Sequence, residues 1–361
     1  MTSFALRNRR VLLSGLSAIL AVLTLQAPPD YFRFAALGDE ILTGHLGSVY
    51  ASDWNQAGPL QLVLSRVLLL GVSFDGHPAW PVVFVLQAGM VLFLLSIGGT
   101  SDSPAAVRRD LVVGVGAMLW SAIGQPWNGH PAEMLVSIGW LVALRQQRAG
   151  RWGLAALAFA ASAAIAPWGV LAVPSLWAVA SLRQAVRTAT VAVILSITAY
   201  LPFAMTGHFE LFRHHWPIDH GSLMHLIDPG ANFATWGMRL LQAVAVAGGC
   251  ALVAYRSRRS HGGPVYALLA AALLRIACDP AAFDYYWLSV AVLSLGLLAG
   301  VSTAPPWPLI GLGYLAWAAA SVLQPWIGAM LCLGLLIRSV WVTRTAPISD
   351  DAGYGVPAHA G

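Results

Sequence analysis

The sequence predicts an all-α polytopic membrane protein with about twelve transmembrane helices, and three observations lead to this fold class. Apolar residues make up 58% of the 361 residues and charged residues only 10%, which is less than half the usual share in a soluble domain. The apolar residues are grouped in segments whose lengths approach the roughly 20 residues that cross a bilayer. The arginines cluster between alternate pairs of these segments.

The first apolar segment follows Arg7, Arg9 and Arg10 and has the charge pattern of a secretory signal. Pro28 and Pro29 occupy the positions where cleavage would be needed, so we interpret this segment as a retained helix. Eleven further apolar segments follow it. The twelve predicted spans are 11–27, 79–98, 110–126, 131–146, 152–166, 168–182, 188–205, 236–255, 264–279, 285–302, 308–322 and 325–341.

The apolar stretch 60–74 is not counted as a span, because it is short, follows Gly58-Pro59 and carries Arg66 in its middle. With this stretch on the outer surface, the chain obeys the positive-inside rule throughout. Counting it as a span would invert every later segment. Of the 20 arginines, 15 then lie inside and five outside, the latter being Arg33, Arg66, Arg213, Arg239 and Arg275.

The domain organisation follows from this topology. Residues 1–343 form a single transmembrane domain, with long outer loops at 28–78 and 206–235, and both termini are cytoplasmic. The tail 344–361 is rich in polar and small residues and is expected to be disordered.

The acidic residues lie mostly on the outer side, opposite to the arginines. Loop charge bias explains the arginines but does not require acids outside, because Asp and Glu contribute little to orientation. We therefore interpret the outer side as the functional face. The outer acids are Asp30, Asp39, Glu40, Asp53, Asp75, Glu133, Glu210, Asp219, Asp228, Asp279 and Asp284.

Several kinds of site are not predicted. The three cysteines lie far apart in apolar segments and lack the spacing of a zinc or redox site. The sequence contains no Walker A, GxGxxG or HExxH motif. We expect no metal, no cofactor and no nucleic-acid partner, whereas membrane lipids are expected partners of any chain with this many spans.

Asp30 is the leading catalytic candidate, because it opens the long first outer loop beside the interfacial aromatic residue Tyr31. A carboxylate flanked by apolar rings at a membrane boundary could serve as a general base. The alternative is a solvated loop acid or a helix cap. Asp39 and Glu40 follow in the same loop; adjacent helical positions point about 100° apart, so only one of them would line a given site.

Two further segments carry candidate binding residues. At the start of the span 131–146, His130 just before it and Glu133 in its first turn could hold sugar hydroxyls, although an acid in the first turn of a helix is also stabilised by the helix dipole alone. In the loop 206–235, Arg213 and His214 could clamp a lipid phosphate, since guanidinium matches phosphate geometry. A metal site in this His-rich loop is the weaker reading, because the spacing does not fit a ligand set.

The last candidates surround the turn after the span 264–279. Arg275 lies near the outer end of that span, and Asp279 and Tyr285 follow it. An ionisable residue at the membrane edge is a functional candidate. An Arg275–Asp279 salt bridge along one helix, at i and i+4, would explain the same residues without a function.

This arrangement resembles the GT-C superfamily of membrane glycosyltransferases, and within it the bacterial polyprenyl-phosphate-mannose-dependent mannosyltransferases. The resemblance covers about residues 30–290 and depends on short motifs whose order and common side match. They are Pro29-Asp30-Tyr31, Gly44…Tyr50…Gly58-Pro59-Leu60, Gly129-His130-Pro131-Ala132-Glu133, Pro167-Trp168 and Arg275…Asp279-Pro280…Asp284-Tyr285-Tyr286. One departure is Ala166, where relatives commonly have a basic residue.

The resemblance implies an inverting transfer of a sugar, mannose or another hexose or pentose, from a polyprenyl-phosphate donor to a lipid or glycan acceptor of the cell envelope. It implies a bacterial plasma membrane, an extracytoplasmic active face and interfacial helices in the first outer loop. Asp30 corresponds to the loop aspartate that acts as base, with Asp39 or Glu40 as alternatives. Arg213 or Arg275 would stabilise the departing phosphate.

Two other functions stay open from the sequence. A lipid or solute transporter would carry ionisable residues at mid-bilayer and repeat symmetry. Here the ionisable residues gather at one face, which favours interfacial catalysis. A non-catalytic member of the same fold is the third reading.

Overall fold

The computed structural model describes residues 3–26, 29–69, 79–99, 101–258, 263–281, 283–300 and 325–345. Within them the chain is all-α apart from one two-stranded ribbon. The helices are α1 Ser3–Arg7, α2 Arg9–Leu23, α3 Pro29–Leu42, α4 Leu46–Val49, α5 Pro59–Leu68, α6 Trp80–Ile97, α7 Pro104–Ile123, α8 Pro131–Arg148, α9 Trp152–Ile165, α10 Leu182–Thr206, α11 Leu223–Ile227, α12 Trp236–Ser257, α13 Gly263–Cys278, α14 Trp287–Gly300 and α15 Pro325–Thr345. Strand β1 (Trp216–Pro217) pairs antiparallel with β2 (Phe233–Ala234).

Among the residues that the structure describes, three helices are long and apolar enough to cross a membrane, namely α6, α10 and α12. Their outward surfaces are apolar, as α10 shows with Val186, Ile194 and Ile197 exposed. Several shorter apolar helices, including α9 and α13, accompany them. Long helices that leave apolar side chains uncovered are typical of proteins surrounded by lipid and not by water.

The described helices follow the predicted segments closely, but the structure does not show twelve membrane spans. The span predicted at 168–182 is instead a 12-residue 3₁₀ helix, Pro167–Ala178. Pro174 lies inside it and disfavours α-helical geometry at the preceding residue, which explains the tighter winding. The predicted span 308–322 and all but the first two residues of the predicted tail 344–361 lie outside the described residues.

The predicted first outer loop contains the helices α3, α4 and α5, and α3 packs along α5. The α5 helix covers the first part of the stretch 60–74 and is only 10 residues long. The loop docks onto the rest of the bundle through Gly58, whose amide donates to the carbonyl of Ile165 at 2.9 Å. A Cβ atom on Gly58 would lie 2.1 Å from the carbonyl oxygen of Ala164, so only glycine permits this approach.

The core is built mainly from alanine, leucine and valine side chains, together with several buried aromatic rings. Helix α13 is at its centre; it packs against α12, α15 and the 3₁₀ helix, and it buries a run of alanines. Helix α2 packs against α6 and α7, and α8 against α9. These contacts bring the first loop, the turn before α8, the loop after α10 and the turn after α13 to one end of the bundle, which we call the loop end.

Candidate functional site

A buried ion pair lies at the loop end, where the first turn of α8 meets the last turn of α13. The Nη1 atom of Arg275 donates to Oε2 of Glu133 at 2.6 Å. The Oγ of Ser289, in the first turn of α14, donates to the same carboxylate oxygen at 2.9 Å. Glu133 is 3% exposed and Arg275 7%. Arg275 therefore pairs with Glu133, and not with Asp279 along its own helix.

Two aromatic rings hold the guanidinium of Arg275 between them. Its Cζ atom lies 3.8 Å from the ring centroid of Trp168 and 4.1 Å from that of Tyr286. Trp168 is in the first turn of the 3₁₀ helix, and Tyr286 directly precedes α14, so three elements fix one cation. Such cation–π contacts stabilise a desolvated guanidinium.

A second acidic and basic group lies beside this pair. Asp279 is 4% exposed, and its Oδ2 accepts a hydrogen bond from Nε2 of Gln242 at 3.1 Å. The Nη1 atom of Arg239 lies 3.8 Å from the same oxygen, too far for a hydrogen bond. The Cζ atom of Arg239 lies 4.5 Å from the ring centroid of Trp216.

These groups line a cavity of about 320 Å³, which we call the polar cavity. Both guanidiniums, the Asp279 carboxylate and the Gln242 amide face it, and three tryptophans form much of the rest of its wall. Charged groups converging on an aromatic pocket are what a binding site for a polar ligand requires. Its lining residues include Trp168, Trp216, Trp236, Arg239, Gln242, Arg275, Asp279 and Tyr286.

A second cavity, of about 430 Å³, adjoins the polar cavity and is almost entirely apolar; we call it the apolar cavity. It lies between α9, the 3₁₀ helix and α10. Pro167, Leu211 and Phe212 contribute to the walls of both cavities. A single ligand with a polar head and an apolar chain could therefore occupy the two together.

Asp30 lies on α3, near His130. Its carboxylate makes no hydrogen bond or ion pair within the described part of the chain. The His130 ring stacks on Tyr285 with centroids 3.8 Å apart, and Tyr285 contacts Tyr286, a wall residue of the polar cavity. Burial lowers the pKa of His130, and the Asp30 carboxylate opposes that shift. Asp30 itself is not a lining residue of the cavity.

Asp39 and Glu40, the other acids of the first loop, are already paired. Asp39 accepts from Nε of Arg66 at 2.9 Å, which joins α3 to α5. Glu40 accepts a hydrogen bond from the hydroxyl of Ser48 at 3.1 Å and lies 3.6 Å from His45. Both acids are therefore engaged within the loop, unlike Asp30.

The remaining predicted binding residues lie around the cavity and not inside it. Arg213 is 77% exposed and pairs with Glu210 at 2.9 Å. His214 packs edge-on against Trp216; burial lowers its pKa, and the carboxylate of Asp53 opposes the shift. Tyr31 is buried in the core, and its hydroxyl has no hydrogen-bond partner in the described structure.

The structure also shows site residues that were not among the predicted ones. Arg239 and Gln242 lie in the first turns of α12, three positions apart and hence on the same face. Trp168 was noted only as part of a motif. The position of Arg239 just after the loop 206–235, at the outer end of a predicted span, is the same signal that singled out Arg275.

Among the described residues, no group of three or more His, Cys, Asp or Glu side chains is arranged to hold a metal ion. The charged groups at the site instead pair with one another or face the polar cavity. No protein-family model matches the chain, and no curated protein matches its sequence significantly.

Proposed function

We propose that the protein is a membrane glycosyltransferase that transfers a sugar from a polyprenyl-phosphate donor to a cell-envelope acceptor. The observation that carries this proposal is the pair of adjoining cavities. The polar cavity presents two guanidiniums to an anionic head, and the apolar cavity has the chemistry of a hydrocarbon chain. The resemblance to the GT-C mannosyltransferases supports the same donor.

The proposed function includes a membrane topology. Twelve spans, cytoplasmic termini and a functional face outside the plasma membrane would place the loop end on the extracytoplasmic side. A group of arginines at the opposite end of the helices supports this orientation. Arg9, Arg10 and Arg109 gather around Asp110 at the end away from the loops, as the positive-inside rule expects of a cytoplasmic end.

In the proposed reaction Asp30 removes the proton of an acceptor hydroxyl. The resulting oxygen attacks the anomeric carbon from the face opposite the phosphate, so the configuration inverts. The bond between that carbon and the phosphate oxygen breaks, and the electron pair leaves with the lipid phosphate. Arg275, fixed by Glu133, Trp168 and Tyr286, stabilises the negative charge of this leaving group.

The partnering of the first-loop acids supports Asp30 as the base. A general base needs a carboxylate that is free to accept a proton, and Asp39 is tied to Arg66 while Glu40 is engaged by Ser48. Asp30 lies close to His130, whose stacking partner Tyr285 adjoins the cavity wall. We expect the acceptor hydroxyl to bind on this side.

The test is a transfer assay on membrane fractions with a labelled polyprenyl-phosphate sugar. Asp30→Asn should lower transfer by a factor on the order of 10²–10⁴, the usual contribution of a general base. Asp228→Asn, which changes an exposed acid of the other loop, should transfer at the wild-type rate. If Asp30→Asn matched wild type while Asp39→Asn or Glu40→Gln lost activity, the base would be that acid instead.

Transfer from none of several donors, by protein that is folded in the membrane, would remove the glycosyltransferase proposal. A transport assay in vesicles would then decide between lipid movement and a non-catalytic role. The clustering of ionisable groups at the loop end argues against transport, because alternating access places such groups near mid-bilayer.

A further inference from the structure

Arg239 differs from the other two arginines near the polar cavity in how its nitrogen atoms are used. Arg213 is exposed and bound to Glu210, and Arg275 gives Nη1 to Glu133. The Nη1 atom of Arg239 is buried yet has no hydrogen-bond acceptor in the described structure. The nearest carboxylate, Asp279, lies 3.8 Å away and accepts from Gln242 instead.

A buried charged donor without an acceptor is costly, because the desolvation penalty of the group is not offset. The protein nevertheless holds Arg239 firmly. Trp216 lies under its guanidinium, and Asp279 provides a nearby negative charge without taking the donor. The guanidinium faces the polar cavity, so the acceptor that it lacks can come from a ligand in that cavity.

We infer that Arg239 is the residue that binds the anionic oxygen of a lipid phosphate in the polar cavity. Gln242, on the same face of α12, donates a hydrogen bond to the Asp279 carboxylate. This carboxylate orients Arg239 by its charge but does not accept a hydrogen bond from it. The inference deepens the proposed function and rests on it for the identity of the lipid. The shared chemistry is a phosphate oxygen, and the adjoining apolar cavity favours a phosphate that carries a hydrocarbon chain over free phosphate.

The test measures binding, not transfer, with purified full-length protein in a non-ionic detergent. Farnesyl phosphate and farnesol are compared by calorimetry, so that the difference between them reports the phosphate alone. Wild type should bind farnesyl phosphate more tightly. Arg239→Gln should weaken farnesyl phosphate binding roughly 10- to 100-fold, as expected for hydrogen bonds to a charged group, and leave farnesol binding unchanged.

Two variants sharpen the result. Arg239→Lys keeps the charge but loses the planar fork, so its affinity should lie between wild type and Arg239→Gln. Arg33→Gln is the matched control, because Arg33 also lies over a tryptophan, Trp54, but is exposed and outside the cavity. It should bind farnesyl phosphate like wild type.

The inference fails if Arg239→Gln retains wild-type affinity, if it loses farnesol binding equally, or if wild type does not distinguish the two ligands. Inorganic phosphate serves as competitor: displacement at the concentrations at which farnesyl phosphate binds would overturn the lipid part. A protein that binds farnesyl phosphate through Arg239 but transfers no sugar keeps this inference and loses the proposed function. If Arg239→Gln instead transfers sugar like wild type, the proposed function stands and this inference is lost.

Discussion

Two clusters of arginines and carboxylates lie at opposite ends of the bundle, and they differ in how the carboxylates pair with the guanidiniums. At the end away from the loops, the Asp110 carboxylate is 1% exposed and accepts from Arg9 at 2.9 Å and Arg10 at 2.8 Å, with Arg109 at 3.5 Å. Arg9 also donates to Asp102 at 2.7 Å. Here one carboxylate is surrounded by its donors.

At the loop end the donors and acceptors are only partly matched. Arg275 and Glu133 form one closed pair, but Arg239 keeps a buried donor without an acceptor beside Asp279. Aromatic rings and a cavity take the place of further partners. One guanidinium nitrogen is buried without an acceptor at each end, Nε of Arg109 beside Asp110 and Nη1 of Arg239 at the loop end. The two ends differ in their carboxylates. Asp110 pairs directly with its arginines and ties α2 to α7, which fixes the fold, whereas Asp279 leaves Arg239 facing a cavity, which is suited to binding.

The largest expected effect on stability is at the cluster of arginines around Asp110. Asp110→Asn keeps the shape of the side chain but removes the negative charge from among three guanidiniums. We expect the free energy of unfolding to fall by about 5 kcal/mol, the upper end for breaking a buried ion pair, as measured by denaturant titration in detergent. Sugar transfer per folded molecule should be unchanged.

The double variant Arg10→Gln with Asp110→Asn is the control, because it removes one guanidinium together with the charge that compensates it. It should recover part of the lost stability. A single variant as stable as wild type would show that the cluster contributes little and that solvent screens its charges. Loss of transfer in fully folded Asp110→Asn would contradict the division of roles between the two ends.

The matched change at the loop end is Glu133→Gln, and it should affect both stability and activity. One guanidinium, and not three, loses its counter-charge, so we expect a loss of about 3 kcal/mol in the free energy of unfolding. Transfer should fall far more than the folded fraction, because Arg275 is no longer held against the polar cavity.

The double variant Glu133→Leu with Arg275→Met separates these two effects. An apolar pair of similar volume often restores the stability of a broken buried ion pair. We expect this variant to unfold near the wild-type denaturant midpoint and still to transfer no sugar. Wild-type transfer by the double variant would remove Arg275 from the proposed mechanism.

The sequence predicted the positions of most described helices, because long apolar segments bounded by charges and prolines leave few alternatives. Counting the alternating spans from the N-terminus also placed Glu133, Arg275 and Asp279 on the same side of the predicted bundle. The pairing within that end was beyond sequence reasoning. Arg275 and Glu133 are 142 residues apart, whereas the local rule favoured the neighbour at i+4.

Other features could not be predicted because they depend on tertiary packing. The polar cavity exists because α12, α13 and the 3₁₀ helix meet at the loop end, and the residues that meet there are far apart in sequence, as Gln242 and Asp279 are at 37 residues. The 3₁₀ winding of Pro167–Ala178 could not be predicted from periodicity, because a mostly apolar run has the same hydrophobic pattern in an α-helix and in a 3₁₀ helix. Arg239 had the same position in sequence as Arg275, at the outer end of a predicted span, but only the structure shows its neighbours Trp216 and Asp279.

The smallest expected effect is a dependence of stability on pH at the loop end, where His130 lies beside Asp30. The pKa of His130 is lowered by burial, so protonation of the ring opposes folding. The contribution of neutral His130 to folding stability is fully present above the pKa of the unfolded state, about 6.5. It is lost as the pH falls below about 6.5 towards the lowered pKa of the folded state.

The measurement is the thermal midpoint at pH 8 and pH 5 for wild type and for His130→Phe, which keeps an aromatic ring against Tyr285 but cannot take a proton. Wild type should lose more stability on acidification than the variant. Asp30→Asn should enlarge the loss, because the Asp30 carboxylate partly stabilises the protonated ring. An equal loss in all three proteins would mean that Asp30 and His130 are not coupled, and the acceptor side of the proposed site would have to be sought elsewhere.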